Sequence, residues 1–315
     1  MEELLRCYRE MEPVENFMQA LRACKDYLSL EFQDAFVHQV LRDPVCDLYA
    51  PKQSYTLLSW VDAEDLGEDI SNDLMEELMN RISNNKNFNN LDELHHVSYR
   101  LRLPNATIND VITCRVATAH NEVGMKLWEA GFFLAEYALA HPEVFAKKRV
   151  IELGAGAGFT GLVMAAIYPQ SPSHVLVTDY APVVLQNLRY NVELNQYRGM
   201  LQHCSVETAA LDWTTWVWTN EHANYDILIA GDCVYDVGSF PDLMRVLSTF
   251  LKRNGTSAIF ASTIRNQTTF QAFLDQLSQH GIVHTEITCD FPKIFSYANR
   301  DSIRLCSFSR SDIDT

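Results

Sequence analysis

Two short segments of this 315-residue chain carry residue types that could do chemistry: Val150–Gly161 (VIELGAGAGFTG) and Asp232–Tyr235 (DCVY). In the first, an apolar run ends in glycines at 154, 156, 158 and 161 that open a helical pattern. A plain strand-to-helix turn needs one or two glycines. Three at alternate positions, with a fourth close behind, point to a ligand brought against bare backbone. Two nucleotide templates compete for this loop. Gly156-x-Gly158-x-x-Gly161 fits the dinucleotide fingerprint, and Asp179 stands where its ribose-binding acid belongs. In that template the first glycine directly follows the strand. Here that residue is Gly154, and counting from it puts Phe159 where the last glycine should stand. Read from Glu152, the segment is acid-x-Gly-x-Gly-x-Gly, and an acid at the strand end suits a cationic ligand better than a pyrophosphate. The second template is preferred.

Other candidates fall at strand ends. Asp179 closes a second apolar strand (VTD) and can accept hydrogen bonds from both ribose hydroxyls. Leu211-Asp212-Trp213 follows a third strand and would set a carboxylate and an indole beside the base. Trp213 has a second reading as a core aromatic, with Trp216 and Trp218 close by. The run Tyr225–Gly231 is apolar beyond Asp226 until it reaches Asp232, which places that acid in the crevice where α/β sheets bind ligands. A loop-capping aspartate is the alternative.

The elements that position these residues alternate. From 149 onward the pattern predicts strands at 149–153, 174–178, 202–209, 225–230, 257–262, 282–288 and 302–309. Helices are expected at 159–167, 182–194, 240–252 and 267–280. Such alternation means a doubly wound, mostly parallel sheet, here seven-stranded. The last two strands lack a crossover helix and should form an antiparallel hairpin at one edge. An apolar helix is expected near 124–140, and a strand pair at 97–103 and 111–117 with Pro104-Asn105 in its turn. Residues 1–90 read as short helices broken at Asp43-Pro44 and Ala50-Pro51, with residues 83–90 as the best linker. The expected division is a mainly helical accessory region over 1–96 and a catalytic domain over 97–315.

Composition narrows the function. With 47% hydrophobic and 21% charged residues the chain can bury a core, and its length allows one large domain or two. Acids outnumber Lys and Arg by 41 to 25, a net charge of −16. Residues 1–100 hold 20 acids and 9 bases, so they carry −11 of it. Such a chain repels phosphate backbones, so no nucleic-acid partner is expected and a large partner should present basic surface. The run from Asp62 to Glu77 has eight acids and no base; it reads as a solvated helix face or as a docking face for a basic partner. Eight dispersed cysteines without C-x-x-C point to a reducing compartment, and no metal site is expected. No signal-like or membrane-spanning apolar stretch is seen, since Glu136 cuts the longest one, so the expectation is cytoplasmic and without a membrane partner. A monomer is the default.

The glycine loop read from Glu152 is typical of S-adenosylmethionine-dependent methyltransferases. Asp232-x-x-Tyr235 resembles the D-x-x-Y element after the fourth strand of the seven-β-strand protein lysine methyltransferases, and Gly124–Ala130, with Trp128, is similar to the helix start preceding their glycine loop. Segments 43–46, 50–55, 263–273 and 295–297 are similar to the branch of that family acting on elongation factor 2. The resemblance implies a Rossmann-like methyltransferase fold and methyl transfer from S-adenosyl-L-methionine to a protein lysine, on elongation factor 2. It further implies that Asp232 orients the amine and Tyr235 lines the lysine channel. Trp128, Glu152, Gly154, Ala155, Gly156, Asp179, Trp213 and Gly231 would hold the cofactor. Other acceptors (a different protein lysine or a small amine), a non-catalytic cofactor-binding scaffold and a nicotinamide-dependent dehydrogenase are the competing readings.

Overall fold

In a computed structural model the chain divides into two compact units, Met1–Arg100 with Thr107–Asn121, and Leu101–Ala106 with Glu122–Thr315. The structure describes residues 1–43, 45, 60, 61, 64, 66, 69–84, 94–103, 106, 107, 110–117, 123–217, 219, 224–253 and 255–310. The segment 46–59, most of the linker expected at 83–90, the turn at Pro104-Asn105, and Trp218 lie outside them.

The first unit is helical as expected, with α1 (Glu2–Arg9), α2 (Val14–Arg22), α3 (Leu30–Phe36) and α4 (Asn72–Asn84). Each turns one apolar stripe inward: Leu4, Leu5 and Tyr8 from α1, Phe17 and Leu21 from α2, Leu74 and Leu78 from α4 meet Phe36 and Trp60. An antiparallel hairpin, β1 (Leu94–Arg100) with β2 (Val111–Ala117), belongs to this unit. The sequence-based division at 96/97 therefore falls inside β1, and the hairpin groups with the helices instead of with the sheet that follows.

The second unit is Rossmann-like. Its strands are β3 (Arg149–Leu153), β4 (His174–Asp179), β5 (Ser205–Ala210), β6 (Ile227–Gly231), β7 (Ser257–Thr263), β8 (Ile282–Glu286) and β9 (Ile303–Arg310). They form one seven-stranded sheet in the order β5-β4-β3-β6-β7-β9-β8. The first five run parallel, while β9 lies antiparallel between β7 and β8. The edge pair is thus the expected antiparallel one, with its second strand inserted inward. The helices are α5 (Glu129–Ala140), α6 (Pro142–Phe145), α7 (Phe159–Ala165), α8 (Pro182–Tyr197), α9 (Phe240–Leu251) and α10 (Gln267–Gln279).

Strands β3, β4 and β6 are buried along nearly their whole length, as strands covered on both faces must be. The chain leaves β3 for β4 on one side and later returns to β6 on the other. This reversal opens a crevice beyond the carboxyl ends of β3 and β6. The apolar pattern over 124–140 is not one helix. Val123–Met125 is a 3₁₀ turn, Trp128 is extended, and α5 starts at Glu129. None of the described helices is long and apolar enough to cross a membrane.

Candidate active site

The crevice encloses about 570 Å³, within the usual range for small-molecule sites. Trp128, Glu152, Gly154, Ala155, Gly156, Asp179, Trp213, Gly231, Asp232 and Tyr235 all line it, while Gly158 and Gly161 of the glycine pattern do not. Its charge is one-sided. Among the described residues that line it, six are carboxylic (Glu152, Asp179, Asp212, Asp232, Asp236 and Asp242) and one, Lys126, is cationic, with Arg265 pairing Asp232 from beyond this lining.

The floor is the β3–α7 loop. At Gly156, φ is +56° and a Cβ would stand 2.8 Å from the carbonyl oxygen of Gly124, so a side chain is excluded twice over. Four amides of the loop and the helix start are already committed inside the protein. Ala155 donates to the Thr178 carbonyl at 2.7 Å, Gly156 to Asp179 Oδ2 at 3.1 Å, Gly158 to the Ala155 carbonyl at 2.8 Å and Gly161 to Glu152 Oε2 at 3.0 Å. A pyrophosphate held by a helix N-terminus needs such N–H groups free. The committed amides and the acidic lining both disfavour a dinucleotide here.

Glu152 is buried with a backbone amide on one oxygen, and burial pushes its carboxyl up to about 8, partly opposed by the Gly161 amide. Asp179 Oδ1 accepts from the amides of Tyr180 and Ala181 at 2.8 and 3.2 Å, so three of the roughly four lone-pair sites of this carboxylate fix the loop and one faces the crevice. Trp213 lines the crevice and packs, half-buried, against the core beneath. Arg245 fixes its turn by donating to the carbonyls of Trp213 and Trp216. Asp212 is exposed, and the Thr214 hydroxyl and amide hold its carboxyl below the usual range.

Opposite the loop, β6 ends at Gly231, where a Cβ would lie 3.2 Å from the backbone of Gly131. That close approach lets the first turn of α5 reach Asp232. The aspartate backbone is left-handed (φ 55°), and its carboxylate is tightly held. Thr263 donates its amide to Oδ1 at 2.9 Å and its hydroxyl to Oδ2 at 3.0 Å. Arg265 spans both oxygens at 3.2 Å and donates to Glu129 Oε2 at 3.0 Å. Its guanidinium also lies over Trp128, 5.2 Å from the ring centroid. The Asp232 side chain is 7% exposed; Tyr235 is 66% exposed. Sequence reasoning missed the part played by Thr263, Arg265 and Glu129. No motif marks a basic residue two positions beyond a strand.

The sequence profile of the lysine methyltransferase family matches residues 109–280. A Bos taurus protein named protein-lysine N-methyltransferase EEF2KMT is 34% identical over 62% of this chain and 64% of its own length. An uncharacterized protein of Dictyostelium discoideum is 31% identical over 58% of this chain and 57% of its own length. The calmodulin-lysine N-methyltransferase of Arabidopsis thaliana is 31% identical over 49% of this chain and 50% of the relative. The chain thus spans less than two thirds of each of these relatives.

Proposed function

The chain belongs to the lysine methyltransferase family, and we propose that it transfers methyl groups from S-adenosylmethionine to a lysine of a protein acceptor, elongation factor 2. The observation that carries this reading is one crevice joining two chemistries. A buried acid at a strand end lies beneath a glycine loop, and an aspartate and a tyrosine in D-x-x-Y spacing line the same space. The choice of acceptor rests on the name of the Bos taurus relative and on the dispersed similarities in sequence.

The residues present fit this cofactor. Glu152, raised toward neutrality by burial, is returned to its charged form by a cation beside it, and the remaining site on Asp179 suits a hydroxyl. Trp213 offers an aromatic face for a base. When bound, S-adenosylmethionine supplies a methyl group activated by a sulfonium charge. The acceptor nitrogen must be neutral when it attacks. An ordinary lysine has a pKa of about 10.4, so deprotonation at pH 7 costs roughly 4.6 kcal/mol. Desolvation in the crevice and a neighbouring positive charge both lower that cost. Asp232 holds and orients the amine, and Tyr235 walls the channel. With its oxygens already shared with Thr263, Asp232 is a holder rather than a base, and the proton passes to solvent.

The test is a radiolabelled methyl-transfer assay with the whole chain and a lysate from cells lacking it, beside Asp232→Ala. One labelled band at the size of elongation factor 2, lost in the variant, is expected. A band elsewhere keeps the chemistry and rejects the acceptor, while cofactor binding without protein label rejects protein methylation.

A further inference from the structure

The lone pairs of Asp232 pose a difficulty for any acceptor. A carboxylate offers about four hydrogen-bonding sites. Thr263 takes one on each oxygen, the Ala130 amide makes a long contact to Oδ2 at 3.5 Å, and Arg265 spans both oxygens. An incoming amine can bond Asp232 only if one of these donors leaves. The Thr263 amide belongs to β7, next to its Asp232 partner in the folded sheet, and cannot withdraw. Arg265 can: its long side chain rises from the turn beyond β7 and is 46% exposed, with water ready to replace its bonds.

We propose that Arg265 is an exchangeable counter-ion, a specificity-determining residue whose guanidinium keeps the acceptor's place on Asp232 and Glu129 and is displaced by an incoming primary alkylammonium. The inference rests on reading the crevice as an amine-methylating site. Charge and geometry carry it. One guanidinium faces two carboxylates, so the place retains a negative excess that draws a second cation. Departure of Arg265 also uncovers the face of Trp128 on which it lies. Two carboxylates and an indole face are the chemistry that recognises an alkylammonium. Neutral or anionic groups that displace Arg265 leave these two carboxylates without a counter-charge. The contact therefore filters what enters, and it lowers apparent affinity by the fraction of molecules in which Arg265 has withdrawn.

The test is titration of n-butylammonium onto the full chain, followed by NMR, for the wild type, Arg265→Gln and Arg265→Lys. Removing the competitor in Arg265→Gln should tighten binding roughly ten-fold, as expected if about a tenth of wild-type molecules are open. Arg265→Lys retains a cation and should stay near the wild type. Adding Asp232→Asn to Arg265→Gln should abolish the gain. In methyl transfer, acceptor KM should fall by a similar factor in Arg265→Gln. Unchanged or weaker butylammonium binding in Arg265→Gln overturns the proposal. So does a fall in kcat at constant acceptor KM, which would make Arg265 a fixed positioning residue. A wild-type chain that methylates no lysine, yet shows the Arg265 dependence of butylammonium binding, upholds the exchange and rejects the amine-methylation reading.

Discussion

Glu152 shows how one buried side chain links the fold to pH. Burial carries its carboxyl from an ordinary 4.5 to about 8. Between those values the folded chain holds a proton that the unfolded chain has released, so stability falls as pH rises through the window and levels off above it. The slope for one such group is about 1.4 kcal/mol per pH unit. Glu152→Gln should therefore flatten the decline in urea-unfolding stability between pH 5 and 8 relative to the wild type; parallel curves would contradict this account of Glu152. The same proton bears on the proposed cofactor. A cation beside Glu152 favours the ionised carboxylate, so binding near pH 7 should release a proton and tighten toward pH 8. Calorimetry in buffers of different ionisation enthalpy reads that proton directly, and Glu152→Gln should remove it.

Helix α5 organises one wall of the site and anchors the chain that inserts into the sheet. Glu136, on its buried face, accepts from the amides of Ile294 and Phe295 at 2.6 and 2.9 Å, from the Tyr297 hydroxyl at 2.6 Å, and from Arg300. These four donors come from the connection between β8 and β9. Glu136→Ala leaves them, and the Arg300 charge, without their acceptor. The expected loss is about 3–5 kcal/mol by urea unfolding, with faster hydrogen exchange at the amides of 294 and 295. A change below about 1 kcal/mol would mean that the connection is held by its aromatic contacts alone. In the sequence Glu136 reads as a polar break in an apolar stretch; the donors it serves stand some 160 residues on and have no local signal. The same limit applies across the fold. Strands β2 and β3 match their predicted bounds residue for residue, because each is a compact β-branched run with a clear period. The insertion of β9 between β7 and β8 could not be read, since a two-residue period gives a strand's faces and not its neighbours. The start of α5 was blurred because Met125 and Leu127 continue the apolar pattern ahead of the extended Trp128. The crevice residues were legible because glycine spacing and D-x-x-Y are local patterns. The grip of Arg265 on Asp232 was not, because it joins residues 33 apart.

Over the whole molecule the acidic balance bears on what the chain can approach. The excess is greatest in residues 1–100, yet the run at 62–77 is not a bare acidic face. Of its five described acids, Glu64 is bound by Arg22 and Tyr27, Asp73 by His38, and Glu77 by Arg81. Deleting 61–77 would also remove Leu66 and Leu74 from a buried cluster, so loss of binding in such a variant would reflect unfolding as readily as docking. Ionic strength is the better probe. A net charge of −16 acts over the Debye length, about 10 Å at 0.1 M salt and about 3 Å at 1 M. If a folded acceptor with basic surface is steered by this field, its KM should rise several-fold between 50 and 500 mM NaCl while kcat changes little. A short lysine peptide reaches only the crevice, whose partly desolvated charges are screened far less, so its KM should hardly move. Equal salt dependence for peptide and folded protein would assign the electrostatics to the crevice alone and leave the acidic surface without a part in recruitment.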